Sequence, residues 1–232
     1  MAEKEFTTKR KFRDVRTHKN PFSADDKFPL NPAELQARYE DIFACLRDPS
    51  YTGSREVNFL DIGSGYGRLE QIIAPQFPDK LMLGLEIRPD AVAISERELF
   101  KSGVKNGACI TANTMMHLHL YFEPESLEKI FILYPDPQFK RSQYRRRIVQ
   151  QQFLDTYAYL LKPGGRLYIA TDVEPVYHWI ETHLTRHAMF IRDKAEQEDE
   201  MWELYRTCTD DALRAMRKKG MTEPFAGVWI KQ

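Results

Sequence analysis

The segment from Tyr134 to Arg141 reads YPDPQFKR and places one carboxylate, Asp136, between two prolines. Each proline fixes its own φ at about −65° and also restricts the residue before it, so Asp136 is held rigidly. A carboxylate held in this way can accept hydrogen bonds from the N–H groups along the edge of a nucleobase. It can equally well cap a helix after a rigid turn, and the residues alone leave both interpretations open.

Five cations lie within eight residues at the end of this segment and directly after it, and no acid interrupts them. They are Lys140, Arg141, Arg145, Arg146 and Arg147, with the aromatic residues Phe139 and Tyr144 interleaved. A solvated face normally mixes charge signs, so this run predicts a phosphate-binding surface beside Asp136. The basic stretch 9–19 and a second cluster would extend that surface, and the acidic run 193–203 is expected to face elsewhere. The second cluster consists of Arg214, Arg217, Lys218 and Lys219.

A glycine-rich loop, Asp61-Ile62-Gly63-Ser64-Gly65-Tyr66-Gly67, follows the first predicted strand. Ligands of open α/β sheets lie beyond the carboxyl ends of the strands, and glycines let the backbone approach them closely. The spacing is G-x-G-x-G, whereas dinucleotide-binding proteins use G-x-G-x-x-G so that a helix N-terminus meets the pyrophosphate. S-adenosylmethionine (SAM) has a positive sulfonium and no phosphate. It therefore fits a loop that contains Asp61 better than NAD does.

Two further polar positions follow neighbouring strands. Glu86 ends the second predicted strand, 23 residues after Gly63, where an acid can accept hydrogen bonds from ribose hydroxyls. Asn113 and Thr114 follow the third predicted strand, where the edge of an adenine would lie, and an amide can serve both its donor and its acceptor. A simple turn asparagine explains Asn113 equally well.

The elements that would position these residues alternate between strands and helices. The predicted strands are 57–62, 80–87, 108–112, 127–133, 166–171 and 225–231, with a short candidate at Phe190. The predicted helices are 33–46, 68–77, 89–103, 148–161, 174–187 and a stretch near 210–219. This order implies a mostly parallel sheet with helices on both faces. Residues 1–32 are interpreted as a basic N-terminal arm and residues 33–232 as one domain.

Composition excludes several classes of protein. The chain has 232 residues, of which 42% are hydrophobic, so it is neither a disordered chain nor a fibre. Its 34 basic and 34 acidic residues cancel, which argues against nucleic-acid binding through bulk charge but leaves local patches possible. No apolar run approaches the roughly 18 residues of a membrane span. The N-terminus is too charged for a signal peptide.

Cysteine and histidine positions predict neither a disulfide framework nor a metal site. No CxxC pair exists among the three cysteines, which favours a reducing compartment. These cysteines are Cys45, Cys109 and Cys208. The pairs His183 with His187 and His117 with His119 lack a third ligand at a matching position. The sequence contains neither the G-x-S-x-G motif of hydrolases nor the Walker glycine-lysine motif of NTPases.

Together these motifs resemble the tRNA (guanine-N7-)-methyltransferase family over most of the chain, from about Arg16 to Trp229. The block YPDPQFKR is highly specific for that family, whereas the glycine loop alone indicates only a class I methyltransferase. Phe139-Lys140-Arg141 and the stretch Arg16–Pro21 are similar to the eukaryotic branch, since bacterial members tend to have Trp-Pro-Lys. Further segments match at the family's spacing, namely Asp61–Gly67, Phe77–Asp79, Gly84–Arg88, Asn113, Lys162–Gly165 and Thr171–Asp172.

The resemblance implies a class I SAM-dependent methyltransferase (Rossmann-like) α/β fold. Its central sheet would be mostly parallel, with helices on both faces and an antiparallel C-terminal strand. The implied reaction transfers a methyl group from SAM to N7 of a guanine in the tRNA variable loop and forms 7-methylguanosine. The eukaryotic branch works as a heterodimer with a noncatalytic WD-repeat β-propeller protein. Such a partner and a nuclear or nucleocytoplasmic location are therefore expected.

The resemblance also implies roles for residues, position by position. Asp136 matches the catalytic acid. The SAM-binding positions are Gly63, Glu86, Ile87, Arg88, Asn113, Thr114, Leu133, Thr209 and Asp211. Near the C-terminus the eukaryotic pattern has a Thr followed by two acids, and Asp211 stands here in place of Glu. Ala212 follows where the family commonly has Gly.

Two alternatives remain at the level of the sequence. A SAM-dependent methyltransferase of a protein or small molecule would keep Glu86 but would leave the basic run after Asp136 unexplained. A catalytically inactive methyltransferase fold could serve as a tRNA-binding scaffold. The intact glycine loop, Glu86 and Asp136 speak against that second alternative.

Overall fold

A computed structural model of the chain describes residues 20–22 and 31–232. Most of the predicted basic arm, including the stretch 9–19, lies outside the described residues, as do the side chains of Lys218 and Lys219. No helix in the described part of the chain has the length and apolar character needed to cross a membrane.

The core of the fold is a seven-stranded sheet with the spatial order β3-β2-β1-β4-β5-β7-β6. The strands are β1 (Val57–Ile62), β2 (Leu81–Glu86), β3 (Gly107–Thr111), β4 (Leu127–Leu133), β5 (Leu161–Thr171), β6 (Phe190–Arg192) and β7 (Phe225–Lys231). Strands β1 to β5 pair in parallel, whereas β7 pairs antiparallel with both β5 and β6. The predicted fold class, a mostly parallel sheet with an antiparallel C-terminal strand, is confirmed.

Helices cover both faces of this sheet. In the described part of the chain they are α1 (Pro32–Ala37), α2 (Tyr39–Ile42), α3 (Arg68–Ile73), α4 (Pro89–Lys101), α5 (Thr114–His117), α6 (Gln151–Leu160), α7 (Glu174–Arg186), α8 (Trp202–Thr207) and α9 (Asp210–Lys219). Successive strand residues point to opposite faces. Phe131 packs on the face that α3 and α8 cover, whereas Ile130 and Ile132 pack on the face that α6 and α7 cover.

The predicted helix 33–46 is broken in the structure. Asn31 caps α1, since its side chain accepts a hydrogen bond from the Glu34 amide. A turn at Arg38 then interrupts the helix, and the chain becomes extended at Phe43, with φ −104° and ψ 111°. The apolar residues Leu35, Tyr39, Phe43 and Leu46 are buried even so, which shows that burial of a face does not require one continuous helix.

In the structure, the predicted helix 148–161 begins at Gln151 and ends at Leu160. Gln150 is extended, and its side chain donates to the carbonyls of Arg145 and Arg147. These contacts hold the preceding segment outside the helix. Strand β5 starts directly after the helix and includes Pro163 and two glycines, so it is longer than the predicted 166–171.

The acidic run 193–203 folds back onto the sheet. Lys129, in the middle of β4, is buried and forms an ion pair with Glu200 at 3.3 Å. Arg166 on β5 bridges Asp193 and Asp199 at 3.4 and 3.3 Å. The acids of this run therefore neutralise cations of the sheet itself.

Candidate active site

The polar segments predicted to meet lie at one edge of the sheet. Strands β1, β2, β3 and β4 run parallel, so their carboxyl ends reach the same edge. The glycine loop follows β1, Ile87 and Arg88 follow β2, Asn113 and Thr114 follow β3, and the Asp136 loop follows β4. Leu133, the last residue of β4, is half-buried at the same edge.

The glycine loop needs its glycines for conformation and for space. Gly63, Gly65 and Gly67 have φ values of 87°, 57° and 72°, which L-residues with side chains rarely adopt. A Cβ at Gly63 or Gly65 would meet no atom within 4 Å, so open space lies directly beside the loop. At Gly67 the reason is packing, since a Cβ would lie 2.8 Å from the Cβ of Ser95.

Glu86 is buried and fully engaged in the structure. Its Oε2 accepts hydrogen bonds from the Gly65 amide at 3.0 Å and from Arg88 Nη2 at 3.1 Å. Its Oε1 accepts from the amide and the Nε of Arg88, both at 3.0 Å. A carboxylate offers about four acceptor positions. Glu86 therefore ties the glycine loop to Arg88, and a ribose hydroxyl would have to replace one of the Arg88 contacts.

Two further acids lie buried behind the glycine loop. Asp61 is 4% exposed and Glu70 is not exposed at all. Burial raises the pKa of Asp61 to about 7, with a further contribution from the charge of Glu86. Burial also raises the pKa of Glu70 well above its usual range, and the charge of Asp61 adds to it. The pair consequently holds a proton at neutral pH.

Glu70 was missed by the sequence reasoning. It lies on α3 between Leu69 and Ile73, which are both buried, and an acid on such a face was the available signal. A Cβ at Gly84 would collide with the carboxyl group of Glu70 and with Ser64, so β2 approaches this acid closely.

Asn113 presents an unpaired acceptor at the third strand end. The residue is 4% exposed, and its Nδ2 donates to the carbonyl of Pro21 at 2.6 Å. Its Oδ1 is buried and has no hydrogen-bond partner among the described residues. An unpaired buried acceptor is costly, and the exocyclic amino group of an adenine would satisfy it.

These residues fit the SAM implied by the sequence. Open space beside Gly63 and Gly65, the unpaired oxygen of Asn113 and the acidic surroundings of Asp61 suit a small cation with an adenosine group. Ile87 and Thr114 are half-buried at the same edge, where they can line such a site.

Thr209 and Asp211 make local contacts in the structure. The Thr209 hydroxyl accepts from the Ala212 amide at 3.1 Å and so caps α9. Asp211 is exposed and pairs with Arg214 at 2.7 Å.

The Asp136 loop, defined here as Tyr134–Gln138, has an unusual backbone at both ends. Tyr134 has φ 50° and Gln138 has φ 45°. For residues other than glycine this left-handed region costs about 1–3 kcal/mol each and persists only where surrounding contacts enforce it. Asp136 itself is exposed. The N-cap residue of the next helical segment, the 3-10 helix Arg141–Arg146, is Lys140 and not Asp136.

The basic run divides into exposed and buried members. Lys140, Arg141 and Arg145 are exposed, and Phe139 beside them is 71% exposed. Arg147 is only 6% exposed, so it presents much less surface to a phosphate than the exposed cations do. Arg146 is half-buried, and its Nε has no partner among the described residues.

The histidines have structural surroundings. The ring of His183 packs on Trp179, with 4.2 Å between the ring centroids, and His187 pairs with Asp155 at 3.0 Å. Within residues 20–22 and 31–232, no group of three or more His, Cys, Asp or Glu side chains could hold a metal ion.

Comparisons with known proteins agree with this geometry. A family described as "Putative methyltransferase" matches residues 55–223. The tRNA (guanine-N(7)-)-methyltransferase of Drosophila virilis is 36% identical over 222 residues, which cover 91% of this chain and 87% of that protein. The Drosophila simulans protein of the same name is 37% identical, with coverages of 88% and 82%.

Solved structures share the fold at low identity. The aminoglycoside resistance methyltransferase NpmB1 superposes with a TM-score of 0.54 at 17% identity and covers 88% of this chain and 95% of its own. TrmN from Thermus thermophilus has a TM-score of 0.54 at 19% identity, and the match covers 82% of this chain and 47% of TrmN. At such identities the likeness shows the fold alone.

Proposed function

Because the chain belongs to the tRNA (guanine-N(7)-)-methyltransferase family, we propose that it transfers a methyl group from SAM to N7 of a guanine in tRNA. The observation that carries this proposal is the Asp136 loop. It presents an exposed carboxylate at the sheet edge where the glycine loop lies, and exposed cations follow it directly. A rigid acid between a SAM site and a basic surface is the arrangement that this reaction requires.

The reaction asks for alignment more than for proton transfer. SAM, when bound, supplies a methyl group on a positively charged sulfonium. N7 of guanine has an in-plane lone pair and no proton, so the chain needs no strong general base and instead has to orient the base. Asp136 would accept the N–H groups of the guanine edge and offset the positive charge that develops on the ring. Because Asp136 is exposed, an extruded base can reach it.

The residues at the ends of β1, β2 and β3 would hold the cofactor. Gly63 and Gly65 leave open space that the cofactor would occupy, and the Asn113 oxygen would accept from an adenine amino group. Glu86 keeps the glycine loop in position through the Gly65 amide. Binding of the ribose would release one Arg88 contact, which leaves the Arg88 guanidinium available to a carboxylate or phosphate.

Replacement of Asp136 tests the assigned role. Asp136→Ala should lower kcat on the order of a hundredfold to a thousandfold, as loss of one transition-state contact does elsewhere. SAM affinity, measured by calorimetry, should stay unchanged because Glu86 and Asn113 remain. Asp41→Ala, an exposed acid on α2, serves as the control. Turnover of Asp136→Ala close to that of the unaltered protein would make Asp136 a turn residue only.

We propose that the methylated guanine lies in the tRNA variable loop. Support comes from the resemblance of YPDPQFKR to the family motif and from the exposed cations Lys140, Arg141 and Arg145, which can contact the phosphates around an extruded base. A tRNA transcript with the variable-loop guanine replaced by adenine should accept no methyl group. Methylation of that transcript at another guanine would overturn the assignment of the loop while leaving the chemistry intact.

A noncatalytic WD-repeat β-propeller subunit is the proposed partner, and a nuclear or nucleocytoplasmic location is proposed with it. The support is the segment Phe139–Arg141, which is similar to the eukaryotic branch, together with the relatives from Drosophila. Co-expression with a WD-repeat subunit of the family should yield a stable heterodimer. A chain that stays separate and is fully active alone would contradict the partner. Fluorescent tagging tests the location.

A further inference from the structure

The left-handed backbone at both ends of the Asp136 loop requires contacts that enforce it. The two prolines restrict the middle of the loop, but they do not account for the conformations of Tyr134 and Gln138. Two side-chain hydrogen bonds join the ends of the loop to different parts of the fold. One is made by Arg147 and the other by the phenol of Tyr134.

Arg147 holds the loop on the side that follows Asp136. Its Nε donates to the carbonyl of Pro137 at 3.0 Å. Its guanidinium lies 3.8 Å from the ring centroid of Tyr144 and 4.7 Å from that of Trp179. No acid among the described residues forms an ion pair with it, and burial lowers the pKa of this guanidinium. Burying a cation is costly, and here the buried guanidinium donates to a backbone carbonyl. We therefore interpret Arg147 as a structural residue and not as a phosphate ligand.

The surroundings of Arg147 are themselves fixed. The indole Nε1 of Trp179 donates to the carbonyl of Val149 at 2.7 Å, which joins α7 to the segment before α6. The planar guanidinium suits this site because it can stack on aromatic rings while its Nε points to a carbonyl in the same plane. A lysine keeps the charge but can reproduce neither the stack nor the directed bond.

Tyr134 holds the loop on the side that precedes Asp136. Its hydroxyl donates to the carbonyl of Arg206 on α8 at 2.6 Å, and its amide donates to the carbonyl of Ala170 on β5 at 2.7 Å. Burial raises the pKa of Tyr134, so the phenol keeps its proton. Arg206 is itself buried and paired with Glu203 and Glu223, both at 3.2 Å. The anchor therefore lies on a well-fixed part of α8, just before Thr209.

We propose that Arg147 and Tyr134 are positioning residues that hold Asp136 for methyl transfer, and that Arg147 serves this role in place of a phosphate contact. The proposal rests on the proposed function of Asp136. The two hydrogen bonds lie on opposite sides of Asp136 and lead to different elements of the fold. Each therefore restrains a different end of the loop. Neither side chain touches the substrate in this assignment, and both act through the backbone of the loop.

Two conservative variants of the full-length protein test the proposal. Tyr134→Phe removes one hydroxyl, and Arg147→Lys keeps the charge. Each should lower kcat on the order of tenfold to a hundredfold, because small misplacements of an aligned group have effects of this size. The Kd for SAM and the salt dependence of tRNA binding should stay unchanged. Tyr159→Phe and Arg97→Lys, both exposed and distant in sequence from the loop, are the matched controls and should keep full kcat.

A double-mutant cycle separates this proposal from the role of Asp136. In an Asp136→Asn background, Arg147→Lys and Tyr134→Phe should cause little further loss of kcat, because they act through Asp136. Full additive losses would overturn positioning even if Asp136 itself proves essential. Near-normal turnover of Asp136→Asn would instead overturn the role of Asp136. An Arg147→Lys variant with unchanged kcat and a shallower salt dependence would identify Arg147 as a phosphate contact.

Hydrogen exchange keeps the test decisive if a variant is less stable. Amide exchange across residues 134–141 should become faster in both variants, whereas exchange in β1 and β2 should stay unchanged. Unchanged exchange in 134–141 would overturn the proposal, since the anchors would then not restrain the loop. Faster exchange throughout the sheet would do the same, because the two residues would then be general contributors to the fold.

Discussion

The two halves of the site differ in charge and in burial. On the cofactor side, Asp61, Glu70 and Glu86 are acids that are at most 5% exposed. On the substrate side, Lys140, Arg141 and Arg145 are exposed cations on a short segment after the Asp136 loop. A small cationic cofactor is bound by fixed groups behind a loop, whereas a large polyanion is met at the surface by exposed cations whose attraction salt screens. Changes in the two halves should therefore have different consequences.

The largest effect on the buried half is expected from Glu86. Glu86→Ala removes the acceptor for the Gly65 amide and leaves the Arg88 cation without its carboxylate. Breaking a buried pair from one side costs about 3–5 kcal/mol, part of it in stability. We expect SAM affinity to fall about a hundredfold, measured by calorimetry, with tRNA affinity unchanged. If the folded variant binds SAM normally, the glycine loop does not depend on Glu86.

The pH dependence of stability should expose the buried acid pair. Asp61 has a folded pKa of about 7, above the ordinary value near 4, so the folded state holds a proton that the unfolded state has released. The stability that the protonated pair contributes is fully present below a pH of about 4 and is lost as the pH rises through about 7. Glu70→Gln should flatten this fall and raise the free energy of unfolding at pH 8.

Denaturant unfolding of the two proteins at several pH values measures this difference. Glu96→Gln, an exposed acid on α4, is the matched control and should leave the profile unchanged. A Glu70→Gln profile parallel to that of the unaltered protein would mean that the pair is fully ionised at neutral pH.

The exposed half should give the smallest effect and the one most sensitive to salt. Replacing Arg141 and Arg145 by alanine should reduce the slope of log affinity for tRNA against log salt by about 0.7–0.9 for each phosphate that is no longer neutralised. SAM affinity should stay the same because neither residue reaches the glycine loop. Filter binding at several salt concentrations measures the slope. An unchanged slope would mean that other parts of the chain, or a partner, bind the tRNA phosphates.

Spacing in the sequence predicted those features of the site that short segments determine. The glycine loop, Glu86 in register with it, and the doubly restricted Asp136 each depend on neighbouring residues and on a strand end. The sheet was predictable for the same reason, since its strands are apolar runs between turn residues, and β7 has the predicted bounds Phe225–Lys231.

Long-range contacts decided what the sequence could not show. Arg147 is one of three consecutive arginines, and nothing local distinguishes it from Arg145. Its burial depends on Trp179, which lies on α7. Similarly, the acidic run 193–203 gives no sign that Lys129 and Arg166 lie beneath it. A run of like charges predicts an exposed surface only where no other element of the fold covers it.

The activity proposed for this chain is methylation of N7 of guanine in tRNA. The most direct measurement incubates the full-length protein, alone and with a WD-repeat subunit of the family, with labelled SAM and tRNA, and then digests the tRNA to nucleosides. All label should elute as 7-methylguanosine. A tRNA built with 7-deazaguanosine, which lacks N7, should accept none. Label in another nucleoside, or equal labelling of the 7-deazaguanosine tRNA, would contradict the account.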